Sequence, residues 1–222
     1  MHMKPAFRNK FVAGIFSTAV MLLAGCDATA PVIPDATRTR IAALSRVNVE
    51  LDIRHHSEWT PARREKAQAA ARVLEAVLNS TEFSRQLADR RDLQGAEGFS
   101  SSEILQIMRS GKTLSSLRAR DDVINKTIAL ALSIAPTTAE YASFDGFTDL
   151  GTGIIYTRKE WFDAQSICRL AGLFAHEYMH VVGFSHATFY HPWLRRSVPY
   201  AVGDMVTDLA EKNGRAQCVA LP

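Results

Sequence analysis

The stretch His176-Glu177-Tyr178-Met179-His180-Val181-Val182-Gly183-Phe184-Ser185-His186 constrains this chain more than any other, because one helix and the turn behind it can gather three imidazoles there. On an α-helix, positions i and i+4 lie on one face a turn apart, so His176 and His180 present two ring nitrogens to a single ion. Glu177 stands about 100° round the helix from His176, off the ion yet within reach of a water held on it, as a general base must be. A third ligand has to come from outside the helix, since further helical residues run straight past. Gly183 can take a positive φ and turn the chain back, bringing His186 to the same ion. Three neutral imidazoles leave a fourth position for water, which marks a catalytic zinc site and not a closed structural one. Zinc brings the pKa of that water towards neutrality and polarises a carbonyl, and Glu177 carries the water's proton to the leaving amine.

These eleven residues resemble the zinc-binding signature of the metzincin metallopeptidases, with all five specified positions filled. The resemblance implies an α+β domain: a small twisted mixed sheet, a backing helix, an active-site helix below the cleft and a mostly irregular C-terminal part. It implies one catalytic Zn2+ and hydrolysis of a peptide bond in a protein or peptide. In metzincins a strand just before the helix forms the upper rim of the cleft and takes substrate as an added antiparallel strand, and Gly153 to Thr157 stands where that strand belongs. Metzincins also carry a methionine turn under the metal, often with a tyrosine two residues on. Ser197-Val198-Pro199-Tyr200 resembles such a turn without its methionine, and Met205 follows. Met205 is a candidate for the position under the metal, and Tyr200 for a zinc neighbour or oxyanion stabiliser. No metzincin subfamily is indicated. Two other functions fit the same residues: a lipid-anchored zinc-binding protein without turnover, and a zinc hydrolase of cell-wall amide bonds.

The N-terminus reads as a separate segment. Lys4, Arg8 and Lys10 precede an apolar run from Phe11 to Leu23, shorter than the roughly 20 residues of a membrane-spanning helix but suited to a secretory signal. Leu23-Ala24-Gly25-Cys26 resembles the bacterial lipobox. That resemblance implies a lipoprotein signal peptide over 1–25, lipidation of Cys26 and attachment to the membrane through the N-terminal lipid. The expected location is the bacterial cell envelope, on the periplasmic side of the inner membrane or on the outer membrane, or the extracellular space. Asp27 resembles the inner-membrane retention signal of enterobacterial lipoproteins. The chain holds 26 Lys+Arg and 23 Asp+Glu. Loss of the three N-terminal basic residues brings the two signs into balance and removes any case for nucleic-acid binding. In an oxidising compartment Cys168 and Cys218 are expected to form a disulfide, two separate buried thiols being the alternative.

With 222 residues and 47% hydrophobic content, the chain suits one well-buried core and is short for two. A tether rich in Ala, Thr, Pro and Asp spans 26–39, and the catalytic domain is expected over 40–222, acting as a monomer. Alternation of Val47, Val49, Leu51 and Ile53 predicts a first strand. Thr60-Pro61 predicts an N-cap for a helix to Leu78. Short helical pieces follow to Leu117, with loops at Gly95, Gly98 and Gly111. Val123 to Ile134 reads as a strand, and Ile154 to Thr157 as another after a loop rich in Gly and Asp. Asp163 is the expected N-cap of a helix from Ala164 to Val182, closed by Gly183. A loop holding Pro192 and Pro199 precedes a last helix over Asp204–Lys212. His55 and His56 read as a solvated loop, since neighbours on extended backbone point apart. His191 competes less well than His186 for the ion. Asp204, Asp208 and Glu211 could supply a carboxylate ligand in the manner of gluzincins, but read better as charges near a helix N-terminus and at the surface. Trp161 and Phe162 read as core residues, either of which could line a substrate pocket.

Overall fold

The computed structural model describes residues 46–114, 127–135, 145–186, 194–214 and 218. The signal segment, Cys26, the tether and His191 lie outside these residues.

Val49, Leu51 and Ile53 turn to the protein interior from β1 (Asn48–Ile53), as their alternation requires. The chain then enters α1 (Pro61–Leu78), where the Thr60 side chain accepts the Arg63 N–H and Pro61 occupies the first turn. Ala67, Ala70, Ala71, Leu74 and Leu78 bury the face of α1 that packs on β1 and on the later helix Ile167–Val182. Two short helices follow, α2 (Thr81–Asp89) and α3 (Ser101–Ser110). Ser100 and Glu103 cap α3 reciprocally, and Gly111 ends it in the left-handed conformation.

The remaining strands are β2 (Thr127–Ala135), β3 (Gly146–Asp149) and β4 (Ile154–Arg158), in the order β1-β2-β4-β3. β2 runs parallel to β1 and to β4, whereas β3 pairs with β4 antiparallel. The fold is therefore mixed α+β on a small four-stranded mixed sheet. Residues 123–126 of the expected second strand lie outside the described residues.

The two sheet edges are treated differently. At β1 the main-chain N–H groups of Val47 and Val49 donate to Asn79 Oδ1 and Glu75 Oε2, both at 2.9 Å. Side chains of α1 thus occupy the hydrogen-bonding groups that an edge strand leaves open. β3 has β4 on one side only among the described residues, and its other side borders a cleft.

Two helical expectations need correction. The helix expected over Ala164–Val182 is α5 (Ile167–Val182), which starts three residues later with Ser166 and not Asp163 as its N-cap, and a separate short helix, α4 (Lys159–Ala164), precedes it. The cause lies in α1. Lys66, almost fully buried, donates to the carbonyls of Phe162 and Asp163 at 3.0 and 2.8 Å, the acceptors a continuous helix would have used. Arg63 grips the Asp163 carboxylate with two hydrogen bonds of 2.8 and 2.6 Å. The last helix is also longer than expected: α6 (Val198–Asn213) begins six residues earlier and absorbs Pro199 in its first turn, where a missing N–H costs nothing. Asp204 is accordingly a mid-helix residue. None of the helices among the described residues is long and apolar enough to cross a membrane.

Candidate metal centre

α5 is buried on nearly every side, with Leu170, Phe174, Ala175, Tyr178 and Met179 in the core. It ends at Gly183, whose φ of 115° is closed to a side chain without strain. The Phe184 N–H returns to Met179 O at 2.9 Å, and Phe184 buries itself behind the turn. This closure swings the chain back so that His186 meets the two helical histidines.

The three Nε2 atoms converge: His186 lies 3.1 Å from His180 and 3.1 Å from His176. His180 Nδ1 is 2.8 Å from the Phe184 carbonyl and donates to it, which leaves the Nε2 lone pair facing the other rings. Burial, and for His176 and His186 the neighbouring histidines as well, holds all three rings below the ordinary range, His176 down to about 3. They are neutral at physiological pH, the form that ligates. Three nitrogens on a tetrahedral zinc with N–Zn of about 2.0–2.1 Å lie about 3.3 Å apart, so the set fits such an ion with little adjustment. These histidines are the group among the described residues that could hold a metal.

Glu177 is buried beside them, and burial pushes its carboxyl up to about 7. Its Oε2 accepts a hydrogen bond of 2.8 Å from the Thr148 hydroxyl of β3. Tyr200, in the first turn of α6, places its ring edge-on to His176 at 4.5 Å and stacked on His186 at 4.9 Å. Burial first, then the Glu177 and Asp204 carboxylates, raise its phenol.

α6 crosses α5 at very close range. A Cβ built on Gly203 would sit 2.9 Å from Gly172 O and 2.9 Å from His176 Cβ, so the glycine lets the second helix approach His176 closely. Between α5, α6 and β3 opens a cleft of about 630 Å³. It takes in the three histidines, Glu177, Tyr200, Thr148 and Trp161, with Arg169 at one end and the exposed Leu150 at the rim.

Other sequence candidates fall elsewhere. Ser197 to Tyr200 is the start of a helix and not a turn under the metal, and Met205 packs in the core without lining the cleft. Gly153 to Thr157 does not form the cleft rim, because β4 is enclosed between β2 and β3; the rim strand is β3, which the sequence reading left as loop. His55 is exposed, with Nδ1 2.9 Å from Ser133 Oγ, away from the triad. Asp204 borders the cleft and pairs loosely with Arg195 at 3.9 Å, while Asp208 and Glu211 are exposed. Phe162 is core and Trp161 reaches the cleft. Cys168, at the start of α5, is bonded to Cys218. Sequence reading missed Thr148, Gly172 and Gly203, whose parts depend on elements brought together only by the fold.

Comparison of the chain with family models, curated proteins and solved structures finds no match.

Proposed function

We propose that this chain is a zinc-dependent endopeptidase of metzincin type, with His176, His180 and His186 holding one zinc ion and Glu177 acting as the base. The observation that carries the reading is the convergence of three neutral imidazole Nε2 atoms, at 3.1 Å contacts, beside a buried carboxylate in an open cleft. A closed structural site would have spent a fourth side chain on the ion.

Zinc, when bound there, supplies Lewis acidity that eases deprotonation of water and polarises the scissile carbonyl. The chain's own residues do the rest. Glu177 takes a proton from the attacking water as the C–O bond forms and gives it to the amine nitrogen as the C–N bond breaks. To Tyr200, whose ring packs on two of the imidazoles, the proposal assigns donation to the developing oxyanion. β3, which borders the cleft and has β4 on one side among the described residues, is the strand to which we assign an extended substrate chain. The lipobox-like Cys26 would hold the domain at a membrane surface, where it meets envelope or extracellular proteins.

The test is turnover of a casein-derived peptide library by zinc-loaded protein, compared with Glu177→Ala. The proposal expects cleavage of internal peptide bonds, lost by at least about a hundredfold in the variant while one zinc per chain remains. Zinc retained by both proteins with turnover by neither would leave a zinc-binding protein. Hydrolysis confined to cell-wall amides would replace the peptidase reading with that of an amidase.

A further inference from the structure

On the proposed reading, Glu177 has two oxygens and only one of them can serve the attacking water. The structure assigns the other to Thr148. We infer that Thr148 is a positioning residue: its hydroxyl fixes the general base and ties it to the strand that receives substrate.

Three observations carry this. The Thr148 hydroxyl lies 2.8 Å from Glu177 Oε2, closer than its 3.1 Å approach to the Glu177 main-chain carbonyl, and with a single proton it donates chiefly to the carboxylate. Glu177 is buried, and Thr148 supplies the hydrogen bond recorded to its side chain among the described residues. A buried carboxylate has few rotamers open to it, so a bond to one oxygen orients the other. Thr148 also sits on β3, an edge strand whose pairing with β4 turns alternate side chains to opposite faces. Thr148 therefore points inward to α5 while Phe147 and Asp149 point away. Thr148 thus borders the cleft, and its side chain holds the base.

The consequence is mechanical. An extended peptide that pairs with β3 orders the same backbone from which Thr148 reaches Glu177. Substrate contacts made along β3, several residues from the scissile bond, then appear in kcat and not only in KM, because binding energy is spent on holding the base.

Thr148→Val keeps the shape and removes the hydroxyl; Thr148→Ser keeps the hydroxyl and removes the methyl. The expected result is a fall in kcat of about ten- to a hundredfold for valine, with KM and zinc content little changed, and recovery to within about threefold of the wild type for serine. Lengthening a peptide substrate along the cleft is expected to raise kcat in the wild type and in serine but not in valine. In a Glu177→Ala background, Thr148→Val is expected to change residual turnover by less than twofold. Full kcat in the valine variant, equal losses in valine and serine, or an undiminished effect of valine without Glu177 would each overturn the assignment. A valine variant that fails to fold leaves the serine variant and Thr148→Ala to decide it, alanine being expected to match the loss set for valine. Absence of turnover in the wild type would instead remove the peptidase reading on which this inference rests.

Discussion

Replacing Gly203 with alanine tests whether α5 and α6 meet as closely as the metal centre requires. In an uncrowded helix the change stabilises by about 1 kcal/mol, because glycine loses more backbone freedom on folding. Here the new Cβ would lie 2.9 Å from Gly172 O and 2.9 Å from His176 Cβ, and both atoms are anchored to α5. Neither can move without moving the helix, so the overpacking cost falls near the upper part of the usual range of about 1–3 kcal/mol. The net expectation is destabilisation by about 1–2 kcal/mol, or a melting temperature lower by about 2–8 °C for a domain of this size. Gly172→Ala meets the same interface from the other side, its Cβ falling 1.9 Å from Thr207 Oγ1 and 2.8 Å from Gly203 O. One outward step of α6 relieves both, so the double variant should cost about 1 kcal/mol less than the sum of the singles. Because Gly203 presses on His176 itself, its replacement should also weaken zinc binding by roughly tenfold, the size of effect seen when a ligand's support is disturbed. Urea unfolding of the metal-free protein gives the stabilities, and titration against a chelator gives the affinity. A Gly203→Ala protein more stable than the wild type, with unchanged zinc affinity, would refute the close crossing.

Two further expectations concern the scaffold. Cys168 and Cys218 are 50 residues apart in sequence; opening their bond with reductant, or by Cys168→Ser, should cost about 4 kcal/mol on the chain-entropy account of a loop that long, read as a lower midpoint in urea. Asp163 is held below its ordinary range chiefly by its hydrogen bonds to Arg63. A depressed carboxyl contributes stability that is present above its unfolded pKa of about 3.9 and is lost as pH falls through the lower folded value. The side chain is 43% exposed, so the contribution should be under about 1 kcal/mol. Asp163→Asn should therefore be slightly less stable than the wild type at pH 7 and converge with it as the pH falls below the ordinary aspartate range, as measured by thermal melts across pH.

How much of this was legible beforehand depended on range. The caps at Thr60 and Gly183, the apolar alternation of β1 and the i, i+4 histidines are local signals, and local backbone chemistry sets them. The break between α4 and α5 was not legible, because the amine that takes up the carbonyls of Phe162 and Asp163 comes from Lys66, nearly a hundred residues away. Gly146-Phe147-Thr148-Asp149 looked like a loop: it is short, opens with glycine and ends with a turn-forming aspartate, and becomes a strand because β4 lies beside it. The start of α6 was hidden by Pro199, a breaker inside a helix but harmless in its first turn. At the site, the spacing that gathers His176, His180 and His186 with Glu177 beside them could be read directly. Thr148, Gly172 and Gly203 could not, since each acts across an interface between elements distant in sequence.

The most direct measurement is zinc-edge X-ray absorption on purified, metal-replete protein, alongside its metal content. One zinc per chain should appear, with three imidazole nitrogens and one oxygen at about 2.0–2.1 Å, and His186→Ala should lose one imidazole from that shell and most of the affinity. Protein that carries no zinc, or a shell unchanged by His186→Ala, would contradict the three-histidine centre.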